Sequence, residues 1–171
     1  MKQLIAIVLS LLFCSILFGA EPITGLWKSV DDDTGLPKSI SLVYEINGKV
    51  FGRIMATYDE TGKMLDSIMD PKERAVNIAG DPYYSGLDFI WDMEERNRKW
   101  RRGNIMDPEP AKVYSCDMWI DDGNLVVRGK IGPFGRNQVW LPASVENDLP
   151  VGFVMPQSLS PMIPEAKKQS N

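Results

Sequence analysis

The chain has 171 residues, with 19 Lys+Arg against 23 Asp+Glu, a formal net charge of -4 and no His. That length predicts one domain able to bury about two-thirds of its unfolded surface without disulfides. The absence of His removes every His-based triad and most zinc and haem ligation. The acidic balance argues against a nucleic-acid binder and against simple adherence to anionic membranes.

Residues Met1–Ala20 read as a secretory signal peptide. Lys2 supplies the positive start, Leu4–Phe18 is an almost unbroken apolar run, and Gly19-Ala20 ends it. The run is too short and too weakly flanked for a transmembrane helix. Ala20 suits the last cleaved position, although Phe18 is bulkier than the usual small residue two places earlier. Phe13 stands before Cys14 where a lipid-anchored protein needs a small side chain, which disfavours lipidation. Lys2 is the one charged residue of the leader, so 18 basic residues face 23 acidic ones beyond it, and only Cys116 remains. No internal disulfide is then possible, and stability must come from the core. The expected destination is outside the cytoplasm, in a periplasm or the exterior.

Residues 21–142 are expected to form the domain. Gly25–Val30 is a short strand. In Ser39–Ile46 the residues Ile40, Leu42, Tyr44 and Ile46 alternate with more polar neighbours, and Asn47-Gly48 follows. Both turn positions tolerate positive φ, the strongest short hairpin signal. The return strand Lys49–Tyr58 places Tyr44 opposite Phe51 and Ile40 opposite Met55. It is apolar on both faces in places, which suggests cover on both sides. Gly86–Trp91 and Gln138–Leu141 are further strands. Glu94–Arg102 has no apolar stripe and suits either a helical turn or two or a charged hairpin.

Tyr114–Asp121 and Asn124–Ile131 flank Asp122-Gly123, and a type I′ turn there fixes every pair. One face carries Ile120 with Leu125, Met118 with Val127, Cys116 with Gly129 and Tyr114 with Ile131. The other pairs Trp119 with Val126, Ser115 with Lys130 and Asp117 with Arg128, an opposite-charge pair worth about 0.2–1 kcal/mol. A slip of one residue would destroy both faces. Many short strands and tight turns, without a sustained helical period, specify an all-β fold, an antiparallel sandwich or barrel. A single antiparallel β-barrel, closed or nearly so, is favoured because it removes exposed edges. Residues 143–171 contain Pro150, Pro156, Pro161 and Pro164 and read as a Pro-rich tail, wrapped loosely or disordered.

A longer ordered pattern runs through these elements. It comprises Gly25-Leu-Trp27, Asp31-Asp-Asp-Thr-Gly-Leu-Pro37, Asn47-Gly-Lys-Val-Phe-Gly52 and Trp100-Arg-Arg-Gly-Asn-Ile-Met-Asp-Pro108. Lys112-Val-Tyr114, Leu125-Val-Val-Arg-Gly129, Ile131-Gly-Pro-Phe-Gly-Arg136 and Trp140 complete it. In this order they resemble the bacterial "domain of unknown function 2147" family of exported proteins, from about Thr24 to Trp140. The resemblance implies a small lipocalin-like barrel with no established activity. Pro110-Ala111 and Leu141-Pro142 depart from the family pattern, so that loop and the final strand are expected to differ locally. Lipocalins open with Gly-x-Trp at the closed end, covered by an Arg from a late strand. The resemblance therefore implies structural roles for Gly25 and Trp27, with Arg136 or Arg128 over the indole.

Candidate sites compete with plainer readings. Asp31-Asp32-Asp33 suits a solvated turn better than a cation site, because consecutive carboxylates point in different directions. Asp33-Thr34-Gly35 matches an aspartic-protease triplet, but that chemistry needs two such loops. Arg96, Arg98, Lys99, Arg101 and Arg102 around Trp100 form either a solvated charged hairpin or a cationic rim for a phosphate or carboxylate head group. Cys116 is expected to be a buried, inert thiol. Tyr44, Phe51, Met55, Tyr114 and Met118, with Trp100, Arg101 and Arg102, are the candidate ligand-binding residues. No catalytic residue, metal ligand or cofactor is assigned. The favoured function is non-enzymatic binding of a small apolar or amphiphilic ligand. The alternative is a filled barrel acting as an interaction module that meets a protein partner in the bacterial envelope.

Overall fold

A computed structural model describes residues 19–168. The leader assigned to Met1–Ala20 lies outside the described residues except for its last two. Nine strands follow: β1 (Gly25–Val30), β2 (Pro37–Ile46), β3 (Lys49–Tyr58), β4 (Met64–Ser67), β5 (Asp88–Arg96), β6 (Lys99–Asp107), β7 (Lys112–Asp121), β8 (Asn124–Ile131) and β9 (Phe134–Pro142). One four-residue helix, α1 (Val145–Asp148), comes after them. Every pairing is antiparallel, and the order β2-β1-β9-β8-β7-β6-β5-β3 is closed by a β2–β3 pairing. The result is an eight-stranded up-and-down barrel. The short β4 pairs with the far end of β3, where β5 has already diverged.

Three hairpins turn at the same end of the barrel through residues with positive φ. Asn47-Gly48 and Asp122-Gly123 do so as the sequence predicts. Asn97-Arg98, with φ of 51° and 62°, makes the third. Glu94–Arg102 is therefore hairpin rather than helix, and β6 is a strand that sequence patterning did not separate from it. The β7–β8 register runs as predicted from Asp121–Asn124 to Ser115–Lys130. The charge pairing across it differs. Asp117 accepts from Lys130 Nζ at 2.7 Å, on the diagonal, while Arg128 Nη1 donates to Asn137 of β9 at 2.8 Å. In β2–β3, Tyr44 faces Phe51 as expected, but a one-residue bulge beyond Ser41 places Ile40 opposite Ala56 instead of Met55. β5 also begins at Asp88 rather than Gly86 and runs on to Arg96.

Alternation along the strands sorts the apolar residues into two clusters separated by the barrel wall. The inner cluster takes at least one residue from each barrel strand, including Trp27, Val43, Val50, Met93, Trp100 and Met118. Residues Glu21–Ile23 plug the turn-bearing end. Trp27 Nε1 donates to the Ile23 carbonyl at 2.8 Å, and Trp100 Nε1 reaches the Glu21 carbonyl at 3.4 Å. These bonds satisfy the polar edges of two buried indoles, which otherwise cost free energy.

The outer cluster covers β2 and β3, where Ile40, Leu42, Tyr44, Phe51 and Met55 are buried from outside. Strand β3 is thus covered on both faces, as its sequence suggests. Its cover comes from the loop carrying Ala75, Ile78 and Leu87 and from tail residues Leu149 and Phe153. The tail is wrapped and paired rather than loose: Ala79 N donates to the Glu165 carbonyl and Lys167 N to the Asn77 carbonyl, each at 2.8 Å.

Asp88, 2 % exposed, fastens this strap. Its carboxylate accepts from Arg53 Nε at 2.9 Å and Nη2 at 2.7 Å, from the Tyr44 hydroxyl at 2.8 Å, and from Met162 N at 2.8 Å. Arg53 Nη2 also donates to the Ser160 carbonyl at 2.9 Å. Burial first, and then the adjacent carboxylate, push the Tyr44 hydroxyl pKa well above the ordinary phenol range, so it remains a donor. Removing one partner of such a pair leaves a buried charge without compensation. Asp88→Ala is expected to lower unfolding free energy by about 3–5 kcal/mol in urea titrations. It should also speed amide exchange in residues 160–167 before that in β7 and β8.

Candidate functional site

The opposite end of the barrel is open. There the inner face holds a cavity of about 460 Å³, whose wall includes Phe89, Ile105, Tyr114, Val127, Gly129 and Trp140. Phe89 and Trp140 stack with centroids 6.0 Å apart and planes at 22°. Gly129 contributes no side chain, and a Cβ there would meet only Ile105 Cγ2, at 3.9 Å. The hollow at this level therefore exists partly because β8 carries glycine where β7 carries Cys116. The closed half is filled by Trp27, Met93, Trp100, Met118 and Leu125.

Polar groups collect toward the mouth. Ser29 and Ser39 share a 2.8 Å hydrogen bond across β1 and β2, and Trp140 Nε1 donates to Gln138 Oε1 at 3.4 Å. Lys38, Asp107 and Arg136 complete the lip. Arg136 Nη2 bonds Asp32 Oδ2 at 2.5 Å, tying β9 to the β1–β2 loop. That loop is a turn organised by Asp31. Its Oδ1 accepts from Asp33 N at 3.1 Å and from Thr34 N and Oγ1 at 3.0 Å each. The Thr34 backbone bond leads in holding the Asp31 carboxyl below its ordinary value. Asp31 thus serves the turn and Asp32 the lip.

The structure divides the sequence-predicted ligand residues among three environments. Tyr114 lines the cavity. Met118 and Trp100 face inward too, but in the filled half. Tyr44, Phe51 and Met55 do not share that interior and lie in the outer cluster under the tail. The division has a simple cause: β3 is apolar on both faces, and β2 turns its more apolar face outward under the tail, so alternation alone does not say which face closes inward. Arg101 and Arg102 stand on the outer wall, in a cleft with Arg96 and Lys130, and not at the cavity mouth.

Gly25 begins β1 at φ 138°, a conformation suited to glycine, and Trp27 lies at the plugged end. The Arg expected over Trp27 is placed otherwise. Arg136 is at the open mouth, and Arg128 projects outward beside Asn137 because its neighbour Val127 faces in. The cavity residues missed in the sequence have identifiable signals. Phe89 lies in an apolar run without alternation, and Ile105 in β6, which the charged run around Trp100 does not mark as a strand. Trp140 lies in the expected strand Gln138–Leu141, but four residues do not show which of its faces turns inward.

A closed up-and-down barrel, plugged at one end and hollow at the other, defines a lipocalin-like calyx. The profile described as "Uncharacterized protein conserved in bacteria (DUF2147)" matches residues 25–141, and the chain belongs to that family. Among solved structures it is similar to protein HP1028 from the human pathogen Helicobacter pylori, described as belonging to the lipocalin family. Identity is 16%, the alignment covers 73% of this chain and 85% of that one, and the TM-score is 0.56. At that identity the likeness concerns the fold. No curated protein sequence matches the chain. No helix among the described residues is long and apolar enough to cross a membrane.

Cys116 lies fully buried below the cavity. Burial foremost, then the Asp117 charge, push its thiol up to about 12. An unfolded thiol titrates near ~8.5, so the folded state keeps a proton that the unfolded chain releases. The associated stability is intact below about pH 8.5 and is lost as pH rises toward 12. Native protein is expected to resist iodoacetamide at pH 8 and to react once unfolded in urea. Cys116→Ala should make alkaline destabilisation less steep.

Proposed function

We propose that this protein is an exported, non-enzymatic binding protein that holds a small apolar or amphiphilic molecule in the open half of the calyx. The observation that carries this reading is the 460 Å³ cavity with its aromatic and aliphatic wall and polar lip. Its size lies within the range of small-molecule sites, about 300–1,000 Å³, and its apolar floor with few polar groups matches their chemistry. The ligand's apolar end would lie against Phe89, Val127 and Trp140, with a polar end near Arg136, Lys38 and Gln138. Export rests on the leader at Met1–Ala20 and points to a periplasm or the exterior. Binding rather than catalysis is supported by the lack of His and by the turn and lip roles of Asp31 and Asp32. The hollow favours this reading over a solid barrel that only meets an envelope protein partner.

Native mass spectrometry with lipid extraction, on mature protein exported from a bacterial host, provides the first test. A reproducible added mass is expected from the natural chain. Gly129→Phe should lose it while keeping the thermal midpoint, because a side chain there enters the hollow without backbone strain. A clean apo mass, together with no uptake of fatty-acid probes by the natural chain, would overturn the reading. The different positions of Tyr114 and Phe51 yield a sharper contrast. Tyr114→Ala should weaken probe retention with little loss of stability. Phe51→Ala should cost about 3–5 kcal/mol of stability, as for a buried aromatic, and leave probe affinity in the folded fraction unchanged.

A further inference from the structure

A regular strand sends consecutive side chains to opposite faces. β6 breaks that rule. Trp100 pairs with Met118 and the next registered pair is Gly103 with Cys116, so two residues of β6 stand where β7 supplies only Asp117. The extra residue is accommodated with Arg102 at φ 60°. Bulges of this kind re-aim side chains, and a left-handed conformation is unfavourable for a non-glycine residue. Gly103 makes the close approach possible, since a Cβ there would fall 2.8 Å from the Trp91 carbonyl oxygen. The consequence is that Arg101 and Arg102, adjacent in sequence, line the same cleft on the outer wall.

That cleft measures about 520 Å³ and also receives Arg96 from the end of β5 and Lys130 from β8. Asp117 is the one carboxylate among its lining residues, and Lys130 Nζ holds it at 2.7 Å. Arg96 is paired at 3.2 Å with Glu94 of the same strand. Arg101 Nε is buried with no hydrogen-bond partner. The Ser115 hydroxyl and Asn97 amide add neutral polar groups to the wall. Four cations against the two carboxylates of Asp117 and Glu94 leave a surplus of two, and with one buried guanidinium donor unsatisfied an oxyanion would complete the set.

We propose that the outer wall carries a second binding site, independent of the calyx, in which the β6 bulge brings Arg101 and Arg102 together with Arg96 and Lys130 to hold a phosphate-type oxyanion. Arginine forks suit phosphate oxygens in bidentate geometry, and a surface cleft leaves the rest of a phosphomonoester free to project. The same chemistry is offered by free phosphate and by a phosphate head group on a lipid.

Calorimetric titration with inorganic phosphate at low ionic strength tests the site in the mature chain. Saturable millimolar or tighter binding is expected. Arg101→Gln combined with Arg102→Gln should weaken it about tenfold or more, the scale of losing charge-assisted hydrogen bonds. Arg102→Gly is the second variant. Glycine suits the positive φ, so the thermal midpoint should hold or rise while phosphate affinity falls. Cosedimentation with phosphatidylcholine vesicles, with and without phosphatidic acid, separates the sources. Retention by phosphatidic acid that the double variant loses identifies a lipid head group. Binding of free phosphate alone identifies a soluble phosphate compound. Absence of binding in both assays overturns the proposal, as does binding that the double variant leaves unchanged. Calyx occupancy in the native mass spectrum should be the same in Arg102→Gly, so failure of one site is distinguishable from failure of the other.

Discussion

Everything in this structure depends on the seam between β1 and β9. Three registered pairs close the barrel there: Trp27 with Pro142, Lys28 with Leu141 and Ser29 with Trp140. Closure imposes one inside and one outside on eight strands at once. Trp27 is thereby sent to the plugged end and Trp140 to the cavity wall. Without the seam, β1 and β9 would be edges with unpaired backbone groups, and no residue could be assigned to a calyx. The strand ends near the seam are secured from both sides, by Lys28 with Asp148 of α1 at 2.7 Å and by the Ala143 amide on the Leu26 carbonyl at 3.0 Å.

A hollow half-barrel lacks the packing that normally stabilises a small domain. The outer cluster on β2 and β3 offsets this. It adds a second apolar layer under the tail, with Tyr44 and Phe51 stacked at 5.7 Å, away from the cavity. The division lets one half of the interior stay open while the wall beside it is clamped. The Asp88–Arg53–Tyr44 cluster then fastens the strap with both Asp88 oxygens accepting two hydrogen bonds each, which is the condition under which a buried charge is tolerated. The outer layer thus lies on β2 and β3, whereas the apolar wall of the hollow comes mainly from β5 to β9.

The calyx and the cationic cleft arise from two different departures from regular β-structure. Gly129 omits a side chain where the interior would otherwise fill. The β6 bulge adds a residue where the wall would otherwise alternate. Both are local, and both draw their chemical meaning from neighbours distant in sequence: Ile105 and Tyr114 for the first, Lys130 and Asp117 for the second.

The sequence by itself determined the hairpins with glycine in their turns, the all-β class, the β7–β8 register and the family pattern. Asn47-Gly48 and Asp122-Gly123 state turn geometry locally, and a polar face opposite an apolar one leaves a single workable register. Sequence did not decide the inner face of β2 and β3, because β3 is apolar on both faces and the apolar face of β2 is buried outside, under loop and tail residues distant in sequence. It did not separate β6, because Arg98 occupies a positive-φ position where glycine would have marked the turn. Two of the ligand residues expected on Trp100's neighbours, Arg101 and Arg102, moved to the outer wall through a bulge with no signal beyond Gly103. Only closure of the tertiary structure decided these points, since which side of a strand is inside is a property of the whole sheet and not of any one strand.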